Sequence, residues 1–185
     1  MDGKDNKQIG ISEANLNRAI SWSSVADQKA GFVLTLTIVM LGFLTSQLND
    51  FFTAVFALWE KSASAPVLFT ILIAVLLLAL IGMIGAIVNL VSVIRPRVTP
   101  SSAKNSILFF QTICAMPIDE FTDRVKQMDE ESYVHALCDQ THNVSKVVAE
   151  KFRKLAFSIK WFWVGVAAVG LFSFLRPLFI KLLER

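Results

Sequence analysis

Three long stretches of this sequence carry no charge. No Asp, Glu, Lys or Arg occurs between Lys29 and Asp50, between Lys61 and Arg95, or between Lys160 and Arg176. A helix in water needs a wetted face, so a soluble fold leaves few such gaps. A run of about 20 apolar residues is instead what crosses the hydrocarbon of a bilayer. The chain therefore reads as an integral membrane protein with three spans. Its composition agrees: charged residues make up 18% of the 185, against about 25% in soluble domains.

The first span is expected over residues 30–48 and the second over 67–94, where Pro66 is a natural helix start. The third, over 155–175, is the shortest between charges. Only 15 residues separate Lys160 from Arg176. A crossing must draw on residues 155–157 or 178–180, and Lys160 or Arg176 then snorkels its charge to the headgroups. Trp161 and Trp163 suit the aromatic belt at that boundary. A re-entrant third segment is the alternative.

Lysine and arginine counts give the orientation. The N-terminal arm, residues 1–29, holds Lys4, Lys7, Arg18 and Lys29, whereas the connection over 49–66 holds only Lys61. The stretch from Arg95 to Lys160 holds ten such residues. Residues 1–29 and the central region, 95–154, are thus expected in the cytoplasm, and the first connection outside. The tail, 176–185, follows an odd number of spans and falls outside, although it carries Arg176, Lys181 and Arg185. No cleavable secretion signal is expected: Asp2, Lys4 and Asp5 come first, and the first apolar run comes too late.

Outside the spans the pattern is helical. Leu16, Ala19, Ile20, Ser23 and Ala26 trace a small or apolar stripe, with Asn15, Arg18, Trp22, Asp27 and Lys29 off it and Ser12 as a candidate N-cap. This amphipathic helix is expected to run into the first span. In the first connection, Phe51, Phe52, Phe56 and Trp59 read as an interfacial apolar face. Residues 105–110 fit a short strand or a helix equally well. Pro117, Asp119 and Glu120 mark a helix start, and that helix is expected to reach about Met128. From Asp129 onward Leu137, Val144, Val148, Phe152, Leu155 and Ile159 recur at helical spacing, which predicts one long helix continuing into the third span. The fold class is therefore all-α. It combines three transmembrane helices, an amphipathic N-terminal helix, and a small helical cytoplasmic region continuous with the last span.

Catalytic signatures are missing. The sequence has no GxxxxGK[ST] phosphate loop, no HExxH and no GxSxG. His135 and His142 lie two helical turns apart, too far to share a metal, and Cys114 and Cys138 have no metal spacing. No enzyme, metal or cofactor is expected. A net charge of +3 favours anionic lipid headgroups over DNA or RNA as a partner. What remains is a ring of polar residues at the cytoplasmic ends of the spans. Asp27 and Lys29 stand at the entry to the first, Arg95 and Arg97 at the exit of the second. Lys151, Arg153, Lys154 and Lys160 approach the third. Such cations hold lipid headgroups, or a bound phosphate, by charge-assisted hydrogen bonds.

The same residues carry a family resemblance. In order, they are Ala26, Asp27, Gln28, Lys29 and Ala30 before an apolar span, and Val93, Ile94, Arg95, Pro96 and Arg97 closing the next. Asn105 to Phe110, Asp119, Glu120 and Phe121, Gln140, and Lys151 before the last span then follow. Across about residues 12–175 the chain resembles the transmembrane effectors of bacterial Pycsar anti-phage defence. It departs from the pattern at Gln111, where glycine would follow the paired phenylalanines.

The resemblance implies a protein of the bacterial inner membrane that senses 3′,5′-cyclic CMP or cyclic UMP from a partner pyrimidylate cyclase. It further implies a homo-oligomer that impairs the membrane and halts the infected cell. Under that reading Arg95, Arg97, Lys151 or Arg153 pairs with the cyclic phosphate, Gln140 or Asn143 reads the base edge, and Phe109, Phe110 or Tyr133 stacks on it. The alternative is a membrane scaffold that docks a cytoplasmic protein without nucleotide control. A transporter fits less well, because no carboxylate lies deep in a span.

Overall fold

The computed structural model describes residues 3–58, 65–95 and 107–183. They form α1 (Gly3–Leu58), α2 (Ala65–Ile94), α3 (Phe110–Ala115), α4 (Ile118–Gln127) and α5 (Glu130–Leu183), with no strand among the described residues. α1, α2 and α5 are each long and apolar enough to cross a membrane. The N-terminal amphipathic segment and the first span are one helix, and so are the segment after Asp129 and the third span, as expected. α5 runs unbroken through residues 161–175, where a re-entrant segment would need a break.

The buried residues of all three long helices follow one rule. On α2 they are Leu72, Leu76, Ala79, Met83, Ala86, Leu90 and Val93, alternating four and three apart. On α1, Ala30, Leu44 and Phe51 are buried with Thr37 at intervals of seven, and on α5 Leu155, Phe162, Val169 and Phe172 lie on a similar stripe. A seven-residue repeat keeps one seam facing its partners and winds the helices around one another left-handedly.

The chain forms two compact units. Unit 1 is Met1–Asp27 with Arg95–Phe152, and unit 2 is Gln28–Ile94 with Arg153–Arg185. α1 and α5 contribute to both.

In unit 2, α1 and α5 run parallel, since Gln47 bonds Ser173 and Asp50 bonds Arg176. α2 runs antiparallel to α5. A Cβ added to Gly82 would lie 2.7 Å from the Gly165 nitrogen, and one on Gly85 would lie 3.2 Å from the Trp161 ring. Glycine here permits backbone-to-backbone approach, which drives association where lipid is as apolar as the side chains. The outward faces are bare apolar surface, with Phe32, Ile38, Val88 and Phe174 all more than half exposed. Such continuous apolar surface suits lipid. Several polar groups within the spans are satisfied within their own helix. Thr37 donates to the Val33 carbonyl at 2.7 Å, Asn89 to Gly85 at 2.8 Å and Ser158 to Lys154 at 2.8 Å, as a bilayer requires. Arg176, on the tail that disagreed with the charge rule, pairs with Asp50 at 3.3 Å.

Two sequence expectations are corrected. Ser12 does not cap a helix. α1 already begins at Gly3, and Ser12 lies buried within it. Phe51 is not interfacial. α1 continues through residues 49–58, and Phe51 is fully buried among Phe52, Phe69, Phe172 and Phe179. Residues 59–64 and 96–106 lie outside the described residues, and with them Trp59, Arg97 and the start of the 105–110 segment. The end of that segment is a turn leading into α3.

Candidate functional site

Unit 1 is built on the same two helices, but its seam mixes polar and small residues with apolar ones. From α1 it takes Ser12, Ala19 and Ala26, with Leu16 and Ser23 half-buried between them. From α5 it takes Leu137 and Lys151, with Thr141, Val144 and Val148 half-buried at the intervening positions. The helices run parallel here, because Glu13 meets Tyr133, Ser12 meets Cys138, and Ser23 and Asp27 meet Lys151. Serine and alanine let the backbones approach closely and leave room for hydrogen-bonded side chains.

Lys151 stands where the repeat calls for an apolar residue. Its side chain is 11% exposed, and its ammonium lies 2.7 Å from both carboxylate oxygens of Asp27 and 3.1 Å from the Ser23 hydroxyl. An ammonium has three N–H donors, so these three acceptors occupy all of them. A buried charge demands such a set, since one left unpaired is far more costly than an unpaired neutral group. Trp22 packs edge-on against Phe152 beside the pair, ring centres 6.2 Å apart.

At the other end of the seam Tyr133 donates its hydroxyl to Glu13 at 3.0 Å. That hydrogen bond, helped by burial and by the Glu13 charge, raises the phenol's pKa above its ordinary value. α5 starts just before, at Glu130, and the carboxylate of the preceding Asp129 accepts the Ser132 N–H at 3.0 Å. This caps the helix, and the bonds from Ser132 lower the Asp129 pKa. Between the two ends a groove of about 290 Å³ opens, lined by Ser12, Asn15, Cys138, Thr141, His142 and Ser145. A second groove, of about 320 Å³, is lined by Gln8, Glu130, Glu131 and Val134.

The residues singled out from the sequence fall as follows. Asp27 and Lys151 meet directly. Tyr133, Gln140 and Asn143 are half-buried on α5, and Arg95 is exposed just after α2. Phe109 is half-buried at the N-cap of α3 and Phe110 opens that helix. Lys29 and Arg153 are exposed and belong to unit 2. Arg97 lies outside the described residues. Hydropathy does not mark Ser12, Glu13, Asn15 and Ser23 as partners, and the spacing of His142 from His135 speaks only against a shared metal. The signal that finds them is the seven-residue repeat, followed through its polar positions as well as its apolar ones. No cluster of three or more His, Cys, Asp or Glu that could hold a metal occurs among the described residues.

Comparison with curated proteins gives no match, and comparison with solved structures gives none. The family model described as the Pycsar effector protein domain (PycTM) matches residues 11–176. This match takes in the polar seam of unit 1 and nearly all of the three long helices, so the chain belongs to the Pycsar effector family, whose place is in anti-phage defence.

Proposed function

We propose that this membrane protein senses a cyclic pyrimidine nucleotide, cyclic CMP or cyclic UMP, and in response impairs the integrity of the bacterial inner membrane. Family membership links the chain to cyclic-nucleotide signalling and to a cyclase partner. The observation that carries the reading further is the composition of the α1–α5 seam. In unit 1 it sets Ser12, Ser23, Asp27, Thr141 and Lys151 among Ala19, Ala26 and Leu137, while in unit 2 the same helices bury Leu44, Phe51, Val169 and Phe172.

The hydroxyls and the ion pair within this seam are open to re-pairing by a polar ligand, whereas a wholly apolar seam offers it nothing. Both helices continue without a break into the apolar unit, so a ligand that re-pairs the polar seam acts on the segments that cross the bilayer. Only a difference in ligand affinity between the two packings can drive that change. The protein acts without catalysis and as an assembly of subunits. Ile118 and Val125, exposed on an α4 that buries none of its residues, supply apolar surface for such contacts.

The test is a dye-leakage assay with the purified chain in liposomes of bacterial lipid. Cyclic CMP or cyclic UMP is expected to trigger leakage that cyclic AMP does not. Leakage that stays flat with both pyrimidine nucleotides removes the proposal. A scaffold would instead bind neither nucleotide and co-purify with a protein partner.

A further inference from the structure

We infer that the groove lined by Ser12, Asn15, Cys138, Thr141, His142 and Ser145 is the nucleotide site, with Arg18 holding the cyclic phosphate at its rim. The inference rests on the nucleotide-sensing reading and assigns it a place. Size is the first argument. At about 290 Å³ the groove falls just below the ~300–1,000 Å³ typical of small-ligand sites, room for no more than one mononucleotide.

Charge is the second. No carboxylate lines this groove among the described residues, whereas a second groove of unit 1 is lined by Glu130 and Glu131 and repels a phosphate. A cation stands beside the lining residue Asn15. Arg18 donates to the Asn15 side-chain oxygen at 3.5 Å. A guanidinium has five N–H donors in a fork that matches phosphate oxygens, and Asn15 takes one. Lys151 is a poorer phosphate ligand, because Asp27 and Ser23 already hold its ammonium and neutralise it.

Hydrogen-bonding capacity is the third argument. The Thr141 hydroxyl donates to the Leu137 carbonyl at 2.7 Å, so toward the groove it offers lone pairs. The Asn15 oxygen is engaged by Arg18, so its amide offers N–H donors. A pyrimidine edge presents both donors and acceptors and needs such a mixed lining. Because Ser12 and Asn15 come from α1 and the other lining residues from α5, a ligand seated here bridges the two helices and favours one packing over another.

The chain's two thiols allow a labelling footprint on the unsubstituted protein. Cys138 lines the groove and Cys114, on α3, does not, and both are exposed. Full-length protein in nanodiscs is titrated calorimetrically with cyclic CMP and cyclic UMP, then alkylated with N-ethylmaleimide with and without saturating nucleotide. Cys138 labelling is expected to slow at least fivefold while Cys114 labelling stays constant. Arg18→Ala is expected to weaken binding about tenfold, and Arg124→Ala on α4 to leave it unchanged. If nucleotide binds but Cys138 labels at its original rate, or Arg18→Ala binds like the unsubstituted chain, the groove assignment is wrong and nucleotide sensing stands. If neither nucleotide binds, the sensing reading fails and the groove assignment falls with it.

Discussion

Lys151 occupies a core position of the α5 repeat, two residues of which are Val144 and Val148, and its ammonium is held there by both oxygens of Asp27 at 2.7 Å. The two partners differ in burial: the lysine side chain is 11% exposed and the aspartate 40%. That asymmetry decides what each substitution does. Asp27→Asn strands a buried ammonium and is expected to cost about 2–3 kcal/mol, less than the ~3–5 of a fully buried pair because water reaches Asp27. Lys151→Met removes the buried charge and leaves a carboxylate that water solvates, so a loss of about 1 kcal/mol or less is expected. The double variant should be more stable than Asp27→Asn alone. Denaturant titration of the four proteins in detergent checks this. Equal losses from the two single substitutions would mean that the ammonium is not buried.

The same position explains what the sequence concealed. The three spans were legible because missing charge is a strong signal, and so was the fusion of the last span with the helix after Asp129. The seam of unit 1 was legible in part: Leu16, Ala19, Ser23 and Ala26 on α1 and Leu137, Val144 and Val148 on α5 follow from spacing, whereas Ser12, Thr141 and Lys151 do not. Following apolar residues alone along α5 leads from Val148 to Phe152, but the buried residue is Lys151, and Phe152 is half-buried to one side. On α1 the apolar choice was Ile20, which is 51% exposed, while Ser12 is buried. Where a core position is polar, hydropathy points to its neighbour. Only the four-and-three spacing, carried through regardless of side-chain type, recovers the register. Phe51 shows the converse. It was read as interfacial because it follows Asp50, but a helix continues through it and turns it inward.

The first turn of α5 should respond to acid. Asp129 caps it, and the bonds from Ser132 lower the carboxyl's pKa below the ordinary 3.8. A group whose folded pKa is depressed contributes stability that is complete well above its unfolded value and is lost as pH falls through the folded one. Amide exchange at residues 130–133 is therefore expected to be slow at pH 6 and to lose cap-dependent protection as the pH drops below 3.8. Exchange rates are compared after correction for their intrinsic pH dependence. Asp129→Ala should show the unprotected rates at both pH values. Protection in that variant equal to the unsubstituted chain at pH 6 would show that the cap contributes nothing.

Phe51 should be the most sensitive aromatic of unit 2. It is fully buried, 5.4 Å from the Phe172 ring edge-on and 6.1 Å from Phe69 in a stack. In water-soluble cores Phe→Ala costs about 3–5 kcal/mol. Here the transfer part is muted, since lipid is as apolar as the core, and lost packing dominates. Phe51→Ala is thus expected to cost about 1–2 kcal/mol in an SDS titration, and lipid-facing Phe43→Ala, 51% exposed, distinctly less. Equal effects at the two positions would contradict the burial of Phe51.

Gly82 tests the tightest crossing. Its missing Cβ would sit 2.7 Å from the Gly165 nitrogen and 2.8 Å from its Cα. Both are backbone atoms that cannot rotate aside, so Gly82→Ala must push α2 and α5 apart. Overpacking of this kind costs about 1–3 kcal/mol, and the displaced helices also lose the contacts that small residues provide. Gly170 is the internal comparison. It lies on α5, but a Cβ there meets nothing within 4 Å. Alanine is the better helix former by about 0.5–1 kcal/mol, so Gly170→Ala is expected to be neutral or mildly stabilising. Thermal unfolding of the two variants in the same detergent separates them. A Gly82→Ala protein as stable as Gly170→Ala would show that α2 and α5 do not meet backbone to backbone.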